Sequence, residues 1–512
     1  MPRQLPKEWR DETVKIPDLT PKTDQYITQV REYELITPLF GGGVETQKAD
    51  PITVVRATEV RGQLRFWWRA TRGGQFGGSL EKMKKAEDAL WGSTTEPSAV
   101  QIEVVIEKRG SPLIVSGRDG RPINNWDGDN ISAGDPKSPY SYGAFPLFSQ
   151  PGKTLQEKVI FKIALMFPQD SRIDIEAALW AWEAFGGVGA RTRRGFGAIR
   201  YISSQKDDFN QPPSDHQGAT QWLRDSLKQH VASGIPPRYV PYLTIDSMFV
   251  LTKSLRDCDL LWREKLLDRL KAFRHQRERK LQWRRGRDRN SRPERKSAPG
   301  KNHWPEPDAI RRRAKRWANY TERVGPTGQQ EENIHDHQDS TATSQIDAFP
   351  RAAFGLPIQF GFKEDDQRNG LPKGNNNSPG DPGGTNLLRG VKSRHENRTE
   401  YYERLASPLI LRPLACRDGQ YIGIAIRLAG SELPEELEIG IELNRNTNVL
   451  EIARCNIRTQ LTLSEAETIP EFTEFHNDGR KLVDTPLLRR VDNTITTDVI
   501  EAFLAYMERK ER

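Results

Sequence analysis

Four arginines, Arg61, Arg65, Arg69 and Arg72, recur at spacings of four, four and three, so a helix through them carries their guanidinium groups along one flank. Leu64, Trp67, Trp68 and Thr71 fall on another side of the same helix, the side that packs. No Asp or Glu lies between Arg61 and Gly78, and four like charges repel one another unless an anion sits among them. Such a row is chemically suited to holding phosphate. A second cluster, GGVGARTRRGFG at 186–197, sets Arg191, Arg193 and Arg194 among Gly186, Gly187, Gly189, Gly195 and Gly197. Glycines remove side chains that would keep a phosphate or ribose from backbone N–H groups, and the arginines add charge to the same loop. No GK[ST] follows, and the glycines come after a helix rather than opening one, which argues against a nucleotide triphosphate site. A further glycine turn, Gly41, Gly42 and Gly43, precedes the arginine helix and completes the RNA-binding set.

Catalytic chemistry has less to draw on. Metal-free RNA cleavage generally uses histidine as acid or base, and the first histidine is His216. His335 and His337 lack further clustered ligands, so no metal site is expected there. A metal-dependent endonuclease would need a carboxylate near the glycine turn and the arginine helix, and Asp50 is the candidate. Aromatic residues could stack bases; Trp67, Trp68, Trp283, Trp304 and Trp317 lie in or beside basic stretches, and Trp283 and Trp304 are the first choices.

The elements that must position these groups are legible over the first 205 residues. A strand at 26–36 leads through the glycine turn to a helix starting near Thr58 and a shorter helix at 80–91. Val100, Ile102, Val104 and Ile106 alternate as a half-buried strand. A polar excursion at 111–157 separates it from a second alternating strand containing Val159, Phe161, Ile163, Leu165 and Phe167. Ser171 and Asp174 have capping-box spacing ahead of a helix with Ile175, Ala178, Leu179 and Trp182 on its apolar stripe. A last strand follows the glycine loop at 198–203. The order β-α-β-β-α-β is the ferredoxin-like arrangement, which also underlies RNA-recognition modules.

The expected fold is therefore α+β, with two ferredoxin-like (RRM-like) domains: an N-terminal domain at 1–205, a connecting segment at 206–240 and a decorated C-terminal domain at 241–512. The second half offers a strand at 242–251, a hairpin at 409–428 around Asp418-Gly419, and a helix at 497–510. Residues 322–347 and 365–386 are too polar to build a core and read as mobile insertions.

At 512 residues the chain suits two or three domains. Its net charge of +8 is concentrated: residues 268–316 carry 19 Lys/Arg against 6 Asp/Glu, which leaves the rest of the chain at −5. That block is either a solvated face or a polyanion contact. A mean hydropathy of −0.74, no long apolar run and an N-terminus without an apolar core predict a cytoplasmic protein with no membrane partner. Cys258, Cys416 and Cys455 are scattered and odd in number, which fits buried thiols and neither disulfide nor metal knuckle.

The segments ITPLFGGG (36–43), VRATEVRGQLRFWWRATRGG (55–74) and GGVGARTRRGFGAI (186–199) resemble the first RAMP subunit of the Cmr, or type III-B, CRISPR complex. WPEPDAIRR (304–312), FPRAAFGLPI (349–358) and SPLILRPL (407–414) are similar to it as well. The resemblance implies RNA contact at Arg61, Arg65, Arg69, Gly186, Gly187, Gly189, Arg191, Arg193, Arg194 and Gly195. It also implies guide RNA (crRNA), target RNA and other RAMP subunits as partners, and a place near the 3′ end of the guide. Cutting backbone subunits of such complexes carry an aspartate in a loop like that of Asp50. The expectation is a non-catalytic RNA-binding subunit without a cofactor, with the Asp50 endonuclease and a protein-interaction adaptor as alternatives.

Overall fold

In a computed structural model, the structure describes residues 25–43, 53–117, 119–148, 155–202, 211–284, 294–313, 346–361, 385–395, 398–433, 437–443, 452–453, 458–471 and 485–512. Asp50, His335, His337, Cys455, Trp317 and nearly all of the two polar insertions lie outside them.

The alternating segments of the first half form strands because every second side chain has a core to enter. These are β1 (Tyr26–Leu35), α1 (Ala57–Arg72), α2 (Leu80–Trp91) and β2 (Gln101–Lys108). A two-residue pair, β3 (Ser111–Pro112) and β4 (Gln156–Glu157), brackets the excursion, which holds α3 (Ser141–Ala144). Then come β5 (Ile160–Pro168), α4 (Arg172–Phe185) and β6 (Ile199–Ile202). The sheet runs β2-β5-β1-β6, antiparallel throughout, with Tyr33 opposite both Phe161 and Tyr201. Counting only the four sheet strands in chain order, that is 2-3-1-4, the ferredoxin-like order. Phe161, Ile163, Leu165 and Phe167 are fully buried on the face that α1 and α4 cover.

The second half starts with α5 (His216–His230) and β7 (Phe249–Leu251). A continuous helical run follows: α6 (Cys258–Leu260), a π-helical stretch Leu261–Leu267, and α7 (Asp268–His275). The basic block then forms a hairpin, β8 (Arg277–Arg284) with β9 (Glu294–Asn302), and α8 (Glu306–Arg313). β10 (Ile358–Gly361), β11 (Thr385–His395) and β12 (Arg398–Tyr401) lead to the hairpin β13 (Leu409–Ala415) and β14 (Tyr421–Arg427). Last are β15 (Ile439–Leu443), β16 (Ile452–Ala453), α9 (Leu463–Glu467) and α10 (Val499–Arg509). Besides the β8–β9 pair, the described residues form two sheets here, β13-β14-β7 and a separate one built from β10, β11, β15 and β16 with β12 beside β11. Among the described residues β13-β14-β7 gains no fourth strand.

Local expectations differ from the structure where a side chain found a better partner. α1 begins at Ala57 with Arg56 at its cap and no capping side chain. Ser171 does not cap α4, and Asp174 is drawn away to Arg72. The strand expected from residue 242 shortens to Phe249–Leu251, with Tyr242 making only an isolated bridge to Ala429. The polar excursion is not loose: Tyr140, Ala144 and Leu147 are buried in a cluster with Phe196, Trp262 and Leu411. Asp418-Gly419 does turn the β13–β14 hairpin, with Gly419 at φ 76°.

The two halves share their cores. Ile410, Ile422, Ile424 and Ile426 of the second half lie in the same cluster as Trp182 and Ile199 of the first. Arg412, fully buried on β13, donates to the Trp182 carbonyl at 3.0 Å and the Ile199 carbonyl at 2.6 Å.

Candidate nucleic-acid interface

The arginine row on α1 is real, but its members end in different places. Arg65 donates through Nε to Glu87 Oε1 at 2.8 Å and through Nη1 to the Gly92 carbonyl at 3.2 Å. Arg69 donates to the same Glu87 oxygen. Arg72 reaches Asp174 Oδ1 at 2.6 Å, more than a hundred residues along the chain. The counter-charges missing between Arg61 and Gly78 are therefore supplied by α2 and α4, and the argument that the row needs an external anion fails for these three. Arg61, half-buried, has no ion pair among the described residues.

The glycine loop is the joint between the halves. Its central turn, Thr192–Arg194, lies against β13. Arg194 donates to the Leu409 carbonyl at 3.1 Å and the Phe354 carbonyl at 3.4 Å, and Arg193 to the Ser407 carbonyl. Arg191 instead stays on the first half: Nη1 donates to the Gly143 carbonyl at 2.9 Å, and the guanidinium lies 4.5 Å from the Phe145 ring centroid and 5.6 Å from that of Phe40. Burial pushes all three guanidiniums down, Arg191 and Arg193 to about 10 and Arg194 to about 9, so they remain charged at neutral pH. None of the three meets a carboxylate among the described residues. Three positive charges thus sit in one short stretch, held by carbonyl oxygens and aromatic rings.

Several glycines serve packing before they serve any ligand. A Cβ on Gly186 would lie 2.5 Å from both Trp182 Cδ1 and Trp67 Nε1, one on Gly187 2.5 Å from the Gly197 carbonyl, and one on Gly195 2.5 Å from Trp262 Nε1. Gly186, Gly187 and Gly195 are buried. Gly189, half-buried and at φ 79°, is crowded too, since a Cβ there would lie 2.4 Å from Leu39 Cδ1, and it meets the other glycine turn, because a Cβ on Gly42 would be 3.4 Å from its Cα. Gly41 is buried and Gly43 half-buried beside Gly42. Glu59, in the first turn of α1, accepts from the Gly189 N–H and ties the helix to both turns. Burial raises its carboxyl above the usual range, and its Oε2 has no hydrogen-bond partner.

The structure therefore gathers Gly42, Gly43, Gly189 and Arg191 around the N-terminal end of α1, where Arg61 also lies, and carries Arg72 to the far end, beside Asp174 and the His230 carbonyl. The proposed stacking residue Trp304 is fully buried with Nε1 donating to the Phe273 carbonyl at 2.9 Å, which rules it out as a base platform. Trp67 and Trp68 are core residues, each 2% exposed. Sequence reasoning missed Glu59 and Glu87, whose roles depend on contacts distant in the chain, and Phe145, which follows a four-residue helix inside the polar excursion.

Residues 32–200 match the family described as the RAMP superfamily. A curated relative, the CRISPR system Cmr subunit Cmr1-2 of Pyrococcus furiosus, is 27% identical over 183 residues, covering 33% of this chain and 92% of the relative. Cmr1-1 of the same organism is 28% identical over 157 residues, 30% of this chain and 42% of that one. The crystal structure of Cmr1 from Pyrococcus furiosus in its apo form superposes with a TM-score of 0.40 at 17% identity, over 83% of this chain and 92% of that one. A cryo-EM structure of the type III-B Cmr-beta complex bound to cognate target RNA gives 0.40 at 13% identity, over 80% and 96%. The resemblance to a Cmr RAMP subunit carried by the sequence motifs is thus supported by the family and the curated relatives. No described helix is long and apolar enough to cross a membrane.

Proposed function

We propose that this chain, whose residues 32–200 match the RAMP superfamily, is a non-catalytic RNA-binding subunit of a type III-B Cmr effector complex. In that role it holds the 3′ region of guide RNA, and target paired with it, beside other RAMP subunits. Both halves are read as ferredoxin-like units, the second one decorated by the sheet of β10, β11, β15 and β16. The observation that carries the RNA reading is the charge of Arg191, Arg193 and Arg194 on the glycine loop, which meets no carboxylate among the described residues. All three have carbonyl partners, and half-buried Gly42 and Gly189 bring main chain close to Arg191. Positive charge without internal counter-charge favours a polyanion, and a glycine-lined surface lets a phosphate approach the main chain.

The test is titration of the full-length chain with single-stranded RNA over a range of salt. Binding should weaken steeply with salt, each phosphate contact adding about 0.7 to the slope of log K against log salt. Arg61→Ala, which breaks no ion pair among the described residues, should lower both affinity and slope while the melting temperature stays put. Unchanged binding by Arg61→Ala and Arg191→Ala, with both folded, would refute the proposal. Cleavage of guide-paired target with Mg²⁺, abolished by Asp50→Ala, would refute its non-catalytic part.

A further inference from the structure

The short 3-10 turn Phe145–Leu147 is anchored from beneath and bare on top. Leu147 and Ala144 are fully buried, and the Ser132 hydroxyl donates to the Leu147 carbonyl at 3.2 Å. A Cβ on Gly143 would come within 2.6 Å of the Phe196 ring, so the turn sits tightly on the glycine loop. Yet Phe145 is 52% and Phe148 53% exposed. Phe148 caps the turn, its N–H donating to the Phe145 carbonyl at 3.0 Å, so the two exposed rings stand at its two ends, three residues apart. Single exposed apolar residues are ordinary; two aromatic rings on one rigid turn form a surface.

That surface borders charge. Arg191 lies 4.5 Å from the Phe145 ring centroid and adopts φ 61°, a left-handed conformation that costs a non-glycine residue free energy and that the surrounding contacts must hold. Arg404, exposed, has no ion pair among the described residues, and its charge is close enough to Arg191 to oppose that residue's protonation. A guanidinium beside two exposed rings offers what an unpaired nucleotide needs: a π-face for its base and a cation for its phosphate.

We infer that Phe145 and Phe148 form a nucleobase-stacking platform for single-stranded RNA, with Arg191 holding the adjoining phosphate; this rests on the RNA-binding reading above. Stacking tolerates any base, so the site serves position rather than sequence.

The full-length chain would be titrated with oligoadenylate and with an abasic ribose-phosphate oligomer of equal length. Phe145→Ala should lower oligoadenylate affinity about five- to hundredfold, the range for losing one stacked base, and leave abasic binding and the salt slope as in the parent. Phe145→Trp should restore it, and Phe145→Ala/Phe148→Ala should fall at least as far as the single change. An unchanged oligoadenylate affinity in Phe145→Ala overturns the inference while leaving RNA binding intact. So does an equal loss on the abasic oligomer, which would mean that Phe145 acts only by placing Arg191. A parent chain that binds neither oligomer overturns both this inference and the reading beneath it.

Discussion

Arg61 and Arg65 stand one helical turn apart and face different electrostatics. Arg65 shares Glu87 with Arg69, and Glu87 is 6% exposed, so that carboxylate is already committed to two guanidiniums. Such a cluster stabilises the packing of α1 on α2 and has little charge left for a phosphate. Arg61 has no such partner, which makes it the informative position in the row. His230 shows the same dependence on surroundings. Its ring stacks on Trp180, centroids 4.9 Å apart at 16°, and burial lowers its pKa from 6.5 to about 4. The unfolded chain takes up a proton near pH 6.5 that the native ring resists until about pH 4. Native stability is therefore full above pH 6.5 and is lost as the pH falls toward 4. Urea midpoints at pH 7.5 and pH 5 should show this drop, and His230→Phe should remove its own share of it; an identical drop in the variant would refute the assignment.

At the scale of elements, two glycines of the arginine-glycine motifs make opposite predictions. Gly62 lies within α1, exposed, and a Cβ there would meet nothing within 4 Å. Gly62→Ala should raise stability by about 0.5–1 kcal/mol, since it only restricts the unfolded chain and favours helix. Gly197, at φ 61°, would place a Cβ 1.9 Å from the Val188 carbonyl, whose own N–H donates to the Gly197 carbonyl. Gly197→Ala should cost more than about 2 kcal/mol, because a left-handed conformation and a backbone clash add together. Chemical denaturation of the two variants side by side decides both. The contrast explains why a glycine-rich motif is an ambiguous signal: at 186, 187, 189, 195 and 197 close packing already demands glycine, whereas at 42 it is the left-handed backbone, φ 96°, that does.

For the whole molecule, the boundary expected near residue 205 is crossed by the core. Arg412 spans it with two hydrogen bonds to carbonyls of the first half, and the isoleucines of β14 pack with Trp182. Burial depresses the Arg412 pKa to about 9, with Glu183 opposing the shift, so the ion stays charged at neutral pH. Arg412→Met keeps the bulk and leaves both carbonyls unsatisfied, which should lower stability by about 2–4 kcal/mol, read as a shift in the urea midpoint with the slope unchanged. A loss below about 0.5 kcal/mol would mean that water replaces the guanidinium and the halves are not coupled through it.

The sequence by itself determined the first domain's elements and their order, because strict alternation and helical spacing report directly which side of a strand or helix is apolar. It also singled out the arginine and glycine clusters and the family they resemble. The Asp418-Gly419 turn was legible for a similar reason, being local backbone chemistry. Only the tertiary structure decided what each charged residue does. Glu87 and Asp174 reach the arginine helix from 18 and 102 residues away, and Ser407 and Leu409 reach the glycine loop from more than 200. Residue types and spacings report local propensity, whereas partnership depends on which segments the folded core brings together. That is why the arginine-glycine face narrowed to the N-terminal end of α1, the meeting of two turns, and an aromatic turn in what read as a polar excursion.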